Sequence, residues 1–382
     1  MAGGQRPRVV FVDHVARLSG GELALLGLLP ELSRHVDVRV VLGEDGPLVD
    51  RLETAAIPVD VLALAPAARD LPRASIRPRS VGIGAAAASL RYVEQLRRRL
   101  RGLRPDLVHT NSLKSAVYGG IAARLAGIPA VWHVRDRIAP DYLPLPAVRL
   151  VRLLARTLPV GLIANSRTTL ATLPTRRHSL VLYNAVQSPP APPPPVERPL
   201  TVGMIGRLAP WKGQHVFLAA FAEAFGGTEV RAHIVGSALF GEDAHASSLV
   251  TKAAELGVAG QVEFRGFRED VWDELARLDV LVHASIRPEP FGQVVLEGLA
   301  AGVPVVAANA GGPAEVITND VDGLLVRPGD PSALARTLRA LGADADLRAR
   351  LGAAGRIRSR DFAIESTVER LLAFYDAVLS RD

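Results

Sequence analysis

The strongest constraint on this chain is a rhythm. Short runs rich in Val, Leu and Ile alternate with longer segments of helical periodicity, in two series separated by a proline-rich stretch. Apolar runs without polar alternation read as strands buried on both faces. The first series predicts strands over 8–13, 36–42, 59–64, 107–110, 130–134 and 162–165, and helices over 23–32, 47–55, 85–103, 112–126 and 145–158. The second predicts strands over 201–205, 230–235, 262–264, 280–284, 305–308 and 324–326, and helices over 213–225, 244–256, 270–278 and 291–301. A further helix opens at Asp330-Pro331, an N-cap followed by proline at the first helical position, and two more close the chain near 345–358 and 365–379. Repeated βα units imply parallel sheets covered by helices on both faces. The run from Pro189 to Pro199 can enter neither sheet nor helix and reads as a stiff polyproline linker.

The expected architecture is therefore α/β, with two doubly wound Rossmann-like domains. The first spans 1–188, the linker 189–199 and the second 200–362, leaving a closing helix over 363–382. In such sheets ligands gather at the carboxyl ends of the strands, here facing a cleft between the domains.

A length of 382 residues accommodates two cores. The absence of cysteine excludes disulfides and thiolate metal sites. No signal-like segment opens the sequence and no uninterrupted apolar run approaches about 18 residues, so a cytoplasmic protein is expected. The net charge is +6 and comes almost entirely from arginine, the lysines being Lys114, Lys212 and Lys252. With abundant Ala, Gly and Pro, this reads as coding bias, and no nucleic-acid partner is expected. The helix over 145–158 carries Arg149, Arg152 and Arg156 on one face, and Arg69, Arg73, Arg77 and Arg79 charge the long loop over 65–80 earlier in the first domain. Peripheral contact with the inner face of a membrane is one reading of these arginines; a core-packed helix with a solvated arginine face is the other.

Chemistry concentrates in Arg287-Pro288-Glu289-Pro290-Phe291-Gly292-Gln293-Val294-Val295-Leu296-Glu297-Gly298. This stretch joins a predicted strand to a helix expected to begin near Phe291. A carboxylate stands on either side of the helix start, where unpaired N–H groups favour an anion. A ligand with hydroxyls at both ends and phosphate between, such as a nucleotide-sugar, fits. The plain alternative is a capped helix with Glu297 on a solvated face, although the apolar neighbours of Glu297 imply burial and hence a partner.

Gly206-Arg207-Leu208-Ala209-Pro210-Trp211-Lys212-Gly213 follows the first strand of the second series. Arg207 and the rare Lys212 are two cations of the kind a diphosphate requires. In the first series, Ser19-Gly20-Gly21-Glu22 lies between a strand and a helix, where glycine permits close approach. His133 ends one strand and His109 another, so either can serve a sugar hydroxyl or a proton transfer. Gly82-Ile83-Gly84 spells part of a dinucleotide pattern but lacks a preceding strand. No Asp-x-Asp stands in a metal-binding context, so no metal is expected.

Gly206-Arg207-Leu208 with Lys212-Gly213, Glu289-Pro290-Phe291-Gly292 with Glu297, Ala301-Gly302 with Pro304-Val305-Val306, and Gly311-Gly312-Pro313-Ala314-Glu315 together resemble the retaining family-4 glycosyltransferases of GT-B fold. The resemblance implies an interdomain cleft and a closing helix that returns to the first domain. It implies that Arg207 and Lys212 stabilise a leaving diphosphate and that Glu289 contacts the donor sugar. Phe291, Gly292, Gln293 and Val294 would then help hold sugar and phosphate, and Glu297 the ribose. Gly20 and Gly21 would meet the donor phosphate, and His133 would sit beside the transferred sugar. The implied reaction is metal-independent transfer, with retention, from a nucleoside-diphosphate sugar to a glycan, lipid-linked or small-molecule acceptor. It needs no cofactor and no protein nucleophile. A non-catalytic nucleotide-sugar binder, an epimerase and a pyridoxal-dependent phosphorylase are the alternatives on the same scaffold, the last disfavoured by the scarcity of lysine.

Overall fold

The computed structural model describes residues 6–66, 83–191, 197–238 and 241–380. Arg69, Arg73, Arg77, Arg79, Gly82 and the middle of the proline run lie outside the described residues. The chain forms two compact units, Met1–Ala185 together with Ile364–Asp382, and Val186–Ala363.

The strands of the first unit are β1 (Arg8–Asp13), β2 (Asp37–Leu42), β3 (Val59–Val61), β4 (Leu107–Thr110), β5 (Ala130–Val134), β6 (Gly161–Ala164) and β7 (Ser179–Val181). They pair in parallel in the order β3-β2-β1-β4-β5-β6-β7. The order reverses between β1 and β4, so the loops leaving these two strands diverge to opposite faces and open a crevice at their carboxyl ends. The strand β7 was not expected from sequence; it is a three-residue edge strand with one exposed serine and too short an apolar run to signal itself.

The helix Ile364–Leu379 belongs to this unit although it ends the chain. Val368, Leu371, Phe374 and Tyr375 are buried in one cluster with Val9, Phe11, Leu25 and Leu29. Burying such side chains contributes roughly 1.5–3 kcal/mol each, which is what returns this last segment to the first sheet.

The second unit contains β8 (Thr201–Ile205), β9 (Arg231–Val235), β10 (Val262–Gly266), β11 (Val280–His283), β12 (Val305–Ala308) and β13 (Leu324–Val326). The order is β10-β9-β8-β11-β12-β13, again parallel. Here the reversal lies between β8 and β11. Phe217, Leu218 and Phe221 of the helix Gln214–Phe225 pack with Val202, Met204 and Val282 of those strands. Asp330 caps its helix as expected, accepting from the Ala333 N–H at 2.9 Å.

The chain passes between the units at Ala185/Val186, ahead of the proline run, and at Ala363/Ile364. Val186 and Ala363 form a parallel bridge, with the Val186 N–H donating to the Phe362 carbonyl at 3.1 Å.

Candidate active site

The loops that leave β8 and β11 carry the chemistry of the second unit. After β8, the segment Pro210–Lys212 forms a 3-10 turn, and Gly213 with φ 81° starts the next helix. Any Cβ at Gly213 would stand 2.0 Å from the Ala284 carbonyl oxygen. The glycine thus lets the β8 loop lie against the end of β11, bringing Lys212 to the residues that follow it.

The Lys212 ammonium lies 2.6 Å from Oε1 of Glu289. On the other carboxylate oxygen, His283 Nε2 approaches to 2.7 Å and the Ser285 hydroxyl donates at 2.8 Å. Burial works against ionising Glu289, but the charges and hydrogen bonds of Lys212 and His283 prevail and hold its carboxyl well below the usual range. An ionised carboxylate offers about four acceptor positions; three are engaged here, which leaves capacity for a ligand hydroxyl. His283 and Ser285 escaped the sequence reading. The signal present was their spacing, two residues apart along an emerging strand and therefore on one side of it.

Trp211 links the two cations expected at phosphate. The Lys212 ammonium is 4.7 Å and the Arg207 guanidinium carbon 5.7 Å from its ring centre. Arg207 itself lies 3.4 Å from Glu242.

The helix after β11 starts at Gln293, with Gly292 as its N-cap at φ 84°, two residues later than expected. Glu297 is therefore only four positions in, about 6 Å along the axis. Desolvation raises its carboxyl to about 7, opposed by a hydrogen bond from Gln293. Phe291 is buried, while Gln293 and Val294 are partly exposed at the helix mouth. The turn after β12 braces this loop: the Gly312 N–H donates to the Glu289 carbonyl at 2.9 Å, and Gly311 bridges Glu289. A Cβ on Gly311 or Gly312 would come within 2.2 Å of the Glu289 carbonyl or 2.3 Å of the Phe291 Cα.

The crevice residues of the first unit form a separate constellation. Asp13 is fully buried at the end of β1 and accepts from Asn111 Nδ2 at 2.8 Å and from the His14 N–H at 2.7 Å. Asn111 in turn receives Arg135 at 2.8 Å and donates to the Gly21 carbonyl at 3.3 Å. Gly20 and Gly21 are the first residues of the helix Gly20–Leu32, three positions earlier than expected. Gly20 faces open space and Gly21 the aliphatic part of Arg135. Glu22 behind them is buried and raised to about 7 by desolvation and by Asp13. His133, on β5, is buried against His109 on β4, so the two candidate histidines are neighbours.

The arginines of the helix Leu145–Thr157 do not form one free face. Arg152 donates to the carbonyls of Thr172 at 2.8 Å and Ile138 at 3.0 Å, clamping two loops. Arg149 and Arg156 are exposed, as are Leu145, Leu150 and Leu153. Among the described residues no helix is long and apolar enough to cross a membrane, and no group of three or more His, Asp or Glu is placed to hold a metal ion.

Two doubly wound parallel sheets, each with its strand order reversing beside a first strand, define a two-domain α/β protein of GT-B type. The chain belongs to the group 1 glycosyltransferases. The profile of Glycosyl transferases group 1 matches residues 190–358 and that of the Glycosyl transferase 4-like domain residues 19–172. Anabaena HepE, crystallised with UDP and glucose, superposes with a TM-score of 0.83 at 28% identity, over 97% of this chain and 99% of that one. Sucrose-phosphate synthase from Thermosynechococcus elongatus shares the fold, with a TM-score of 0.78 at 19% identity, over 98% of this chain and 99% of that one. The lipopolysaccharide core biosynthesis glycosyltransferase LpsE of Rhizobium meliloti is 35% identical over 161 residues, 42% of this chain and 44% of LpsE. D-inositol 3-phosphate glycosyltransferase of Salinispora arenicola is 34% identical over 185 residues, 47% of this chain and 41% of that enzyme. The chain thus spans less than half the length of these curated relatives.

Proposed function

We propose that this chain is a retaining glycosyltransferase that moves a sugar from a nucleoside-diphosphate sugar, a UDP-sugar in the first instance, to an acceptor hydroxyl without a metal. One observation carries the reading: Lys212 and Glu289 meet at the switch point of the second sheet, with His283 and Ser285 orienting the carboxylate. A fixed cation and a fixed anion within one hydrogen bond of each other suit a reaction that separates a sugar cation from an anionic diphosphate. Glu289 remains ionised and accepts from sugar hydroxyls. Lys212 has further N–H donors for the diphosphate, and Arg207 adds a second cation. The mouth of the helix Gln293–Ala301, with Phe291, Gly292, Gln293 and Val294, receives the phosphate and sugar, and Glu297 the ribose. In the first unit, Gly20 and Gly21 serve the donor phosphate and His133 the transferred sugar. The bond between the anomeric carbon and the diphosphate oxygen breaks while the acceptor oxygen bonds the same face. The acceptor proton passes to the departing phosphate.

The UDP and UDP-glucose complexes of HepE support a uridine donor. The acceptor is a glycan, a lipid-linked glycan or a small molecule, and the exposed leucines of the helix Leu145–Thr157 favour one presented at a membrane surface. The test is turnover of UDP-, GDP- and ADP-sugars with acceptor mixtures, with and without EDTA, and proton NMR of the anomeric linkage. Retention of configuration in EDTA is the expected result. An inverted product or loss of turnover in EDTA contradicts the corresponding part, and binding without turnover identifies a non-catalytic nucleotide-sugar binder.

A further inference from the structure

Three buried polar groups of the first unit form a continuous hydrogen-bonded row. The hydroxyl of Tyr375, on the closing helix Ile364–Leu379, is 2.6 Å from His109 Nδ1. The other ring nitrogen of His109, Nε2, is 3.1 Å from His133 Nδ1. The row ends at His133 Nε2, which is buried and has no hydrogen-bond partner among the described residues. His133 lines a small cavity with Ala24, Arg135, Leu182, Asn184 and Thr367. Exposure along the row is 3% for Tyr375, 0% for His109 and 2% for His133, so solvent does not compete for these bonds.

Burial and the nearby charge of Arg135 depress both imidazoles, His109 to about 3 and His133 well below its ordinary value. Each ring therefore carries one proton near neutrality, and the row has two self-consistent arrangements. In one, Tyr375 donates to His109 Nδ1, His109 donates from Nε2 to His133 Nδ1, and His133 carries its proton on Nε2. In the other, His133 donates from Nδ1, His109 donates from Nδ1 to the tyrosine oxygen, and the phenolic proton must find a separate acceptor. Among the described residues the Tyr375 hydroxyl makes no hydrogen bond except that to His109. The first arrangement leaves one buried polar atom of the row unpaired, the His133 Nε2–H, which faces the cavity, whereas the second leaves two, the phenolic O–H and a bare His133 Nε2. The additional unpaired atom biases the row toward the first by about tenfold.

The geometry points to Tyr375 and His109 as positioning residues that lock His133 in its Nε2–H tautomer, so that His133 presents a hydrogen-bond donor, and not a base, to an oxygen of the bound ligand. Identifying that oxygen as a hydroxyl of the transferred sugar rests on the function proposed above; the tautomer does not.

The experiment is long-range proton–nitrogen correlation on the full chain with 15N-labelled histidine, in the absence of ligand near pH 7.5. His133 is assigned by His133→Gln or by its contacts to the adjacent Trp132. The expected pattern is a protonated Nε2 and a bare Nδ1 on His133, with Tyr375→Phe converting it to a mixture of tautomers. A bare Nε2 in the wild-type chain overturns the proposal, and so does a Tyr375→Phe spectrum unchanged at His133. The wild-type spectrum decides even if the variant does not fold. With UDP-glucose as donor, Tyr375→Phe is expected to lower kcat/KM by about 3- to 10-fold. His133→Gln, which keeps an N–H donor, should retain more of kcat/KM than His133→Leu, and equal losses in the two overturn the donor role. A chain that turns over no nucleotide-sugar removes the proposed function and leaves the tautomer to the spectrum.

Discussion

Replacing Lys212 by methionine keeps much of the side-chain volume and removes the charge that faces Glu289. At their separation of 2.6 Å, two unit charges in an effective dielectric of about 20 attract by about 6 kcal/mol. Desolvation of both groups cancels much of this. What the substitution leaves is a buried carboxylate short of one partner, a situation that costs about 3–5 kcal/mol. The two side chains are 15% and 12% exposed, so water can reach the vacated position and the lower end, about 3 kcal/mol, is expected. The sign with pH follows from the depressed carboxyl of Glu289. Its contribution is complete above the unfolded value of about 4.3 and is lost as pH falls through the lower folded value. The stability gap between wild type and Lys212→Met should therefore be full at pH 7 and narrower by about 1 kcal/mol at pH 3.5. Urea unfolding followed by tryptophan fluorescence reads this directly, since Trp211 packs on the lysine. A gap below about 1 kcal/mol at pH 7, or one that widens in acid, refutes the electrostatic account. Turnover of a UDP-sugar should fall about 100- to 1000-fold, far more than partial unfolding explains.

Glu297→Gln removes a carboxyl whose folded value is raised to about 7. A raised acid disfavours the fold increasingly as pH climbs from its unfolded value to its folded one, so the variant should match wild type near pH 4 and exceed it by about 1–3 kcal/mol at pH 8, while binding UDP more weakly; equal stabilities at pH 8 contradict this. Gly213→Ala forces a Cβ to 2.0 Å from a backbone oxygen at φ 81°, whereas Gly227→Ala at φ 77° meets nothing within 4 Å. The first should destabilise by about 3 kcal/mol or more and the second by about 1 kcal/mol, readable as separate shifts in thermal unfolding. Anionic vesicles at low salt should retain the chain through Arg149, Arg156 and the exposed leucines near them, and Leu150→Asp with Leu153→Asp should abolish retention; vesicles that bind neither form remove the membrane contact.

Much of this architecture is legible without coordinates. The βα alternation locates nearly every strand because parallel strands are buried on both faces and show as uninterrupted apolar runs. The exceptions lie at the sheet edges, where the three-residue strand β7 needs no such run and β3 ends at Val61, short of the strand predicted to residue 64. Helix starts were displaced at Gly20 and Gln293, because glycine can occupy either the end of a loop or the first turn, and only the packed backbone decides which. At the site, the residue types of Glu289, Lys212 and Arg207 were readable as charge at strand ends. Their pairing was not, because Lys212 and Glu289 are 77 positions apart.

By itself, the sequence determined the fold class, the two series of βα units and the short stretches that carry charge beside a helix start. These are properties of local periodicity and composition, which fix where apolar faces lie. Tertiary structure alone decided that Glu289 is gripped by Lys212, His283 and Ser285, that Arg152 is tied to backbone carbonyls, and that Tyr375 from the closing helix reaches His109 and His133. Each depends on which side chains share a buried volume. There a polar group must find a partner wherever the chain brings one, however distant in sequence.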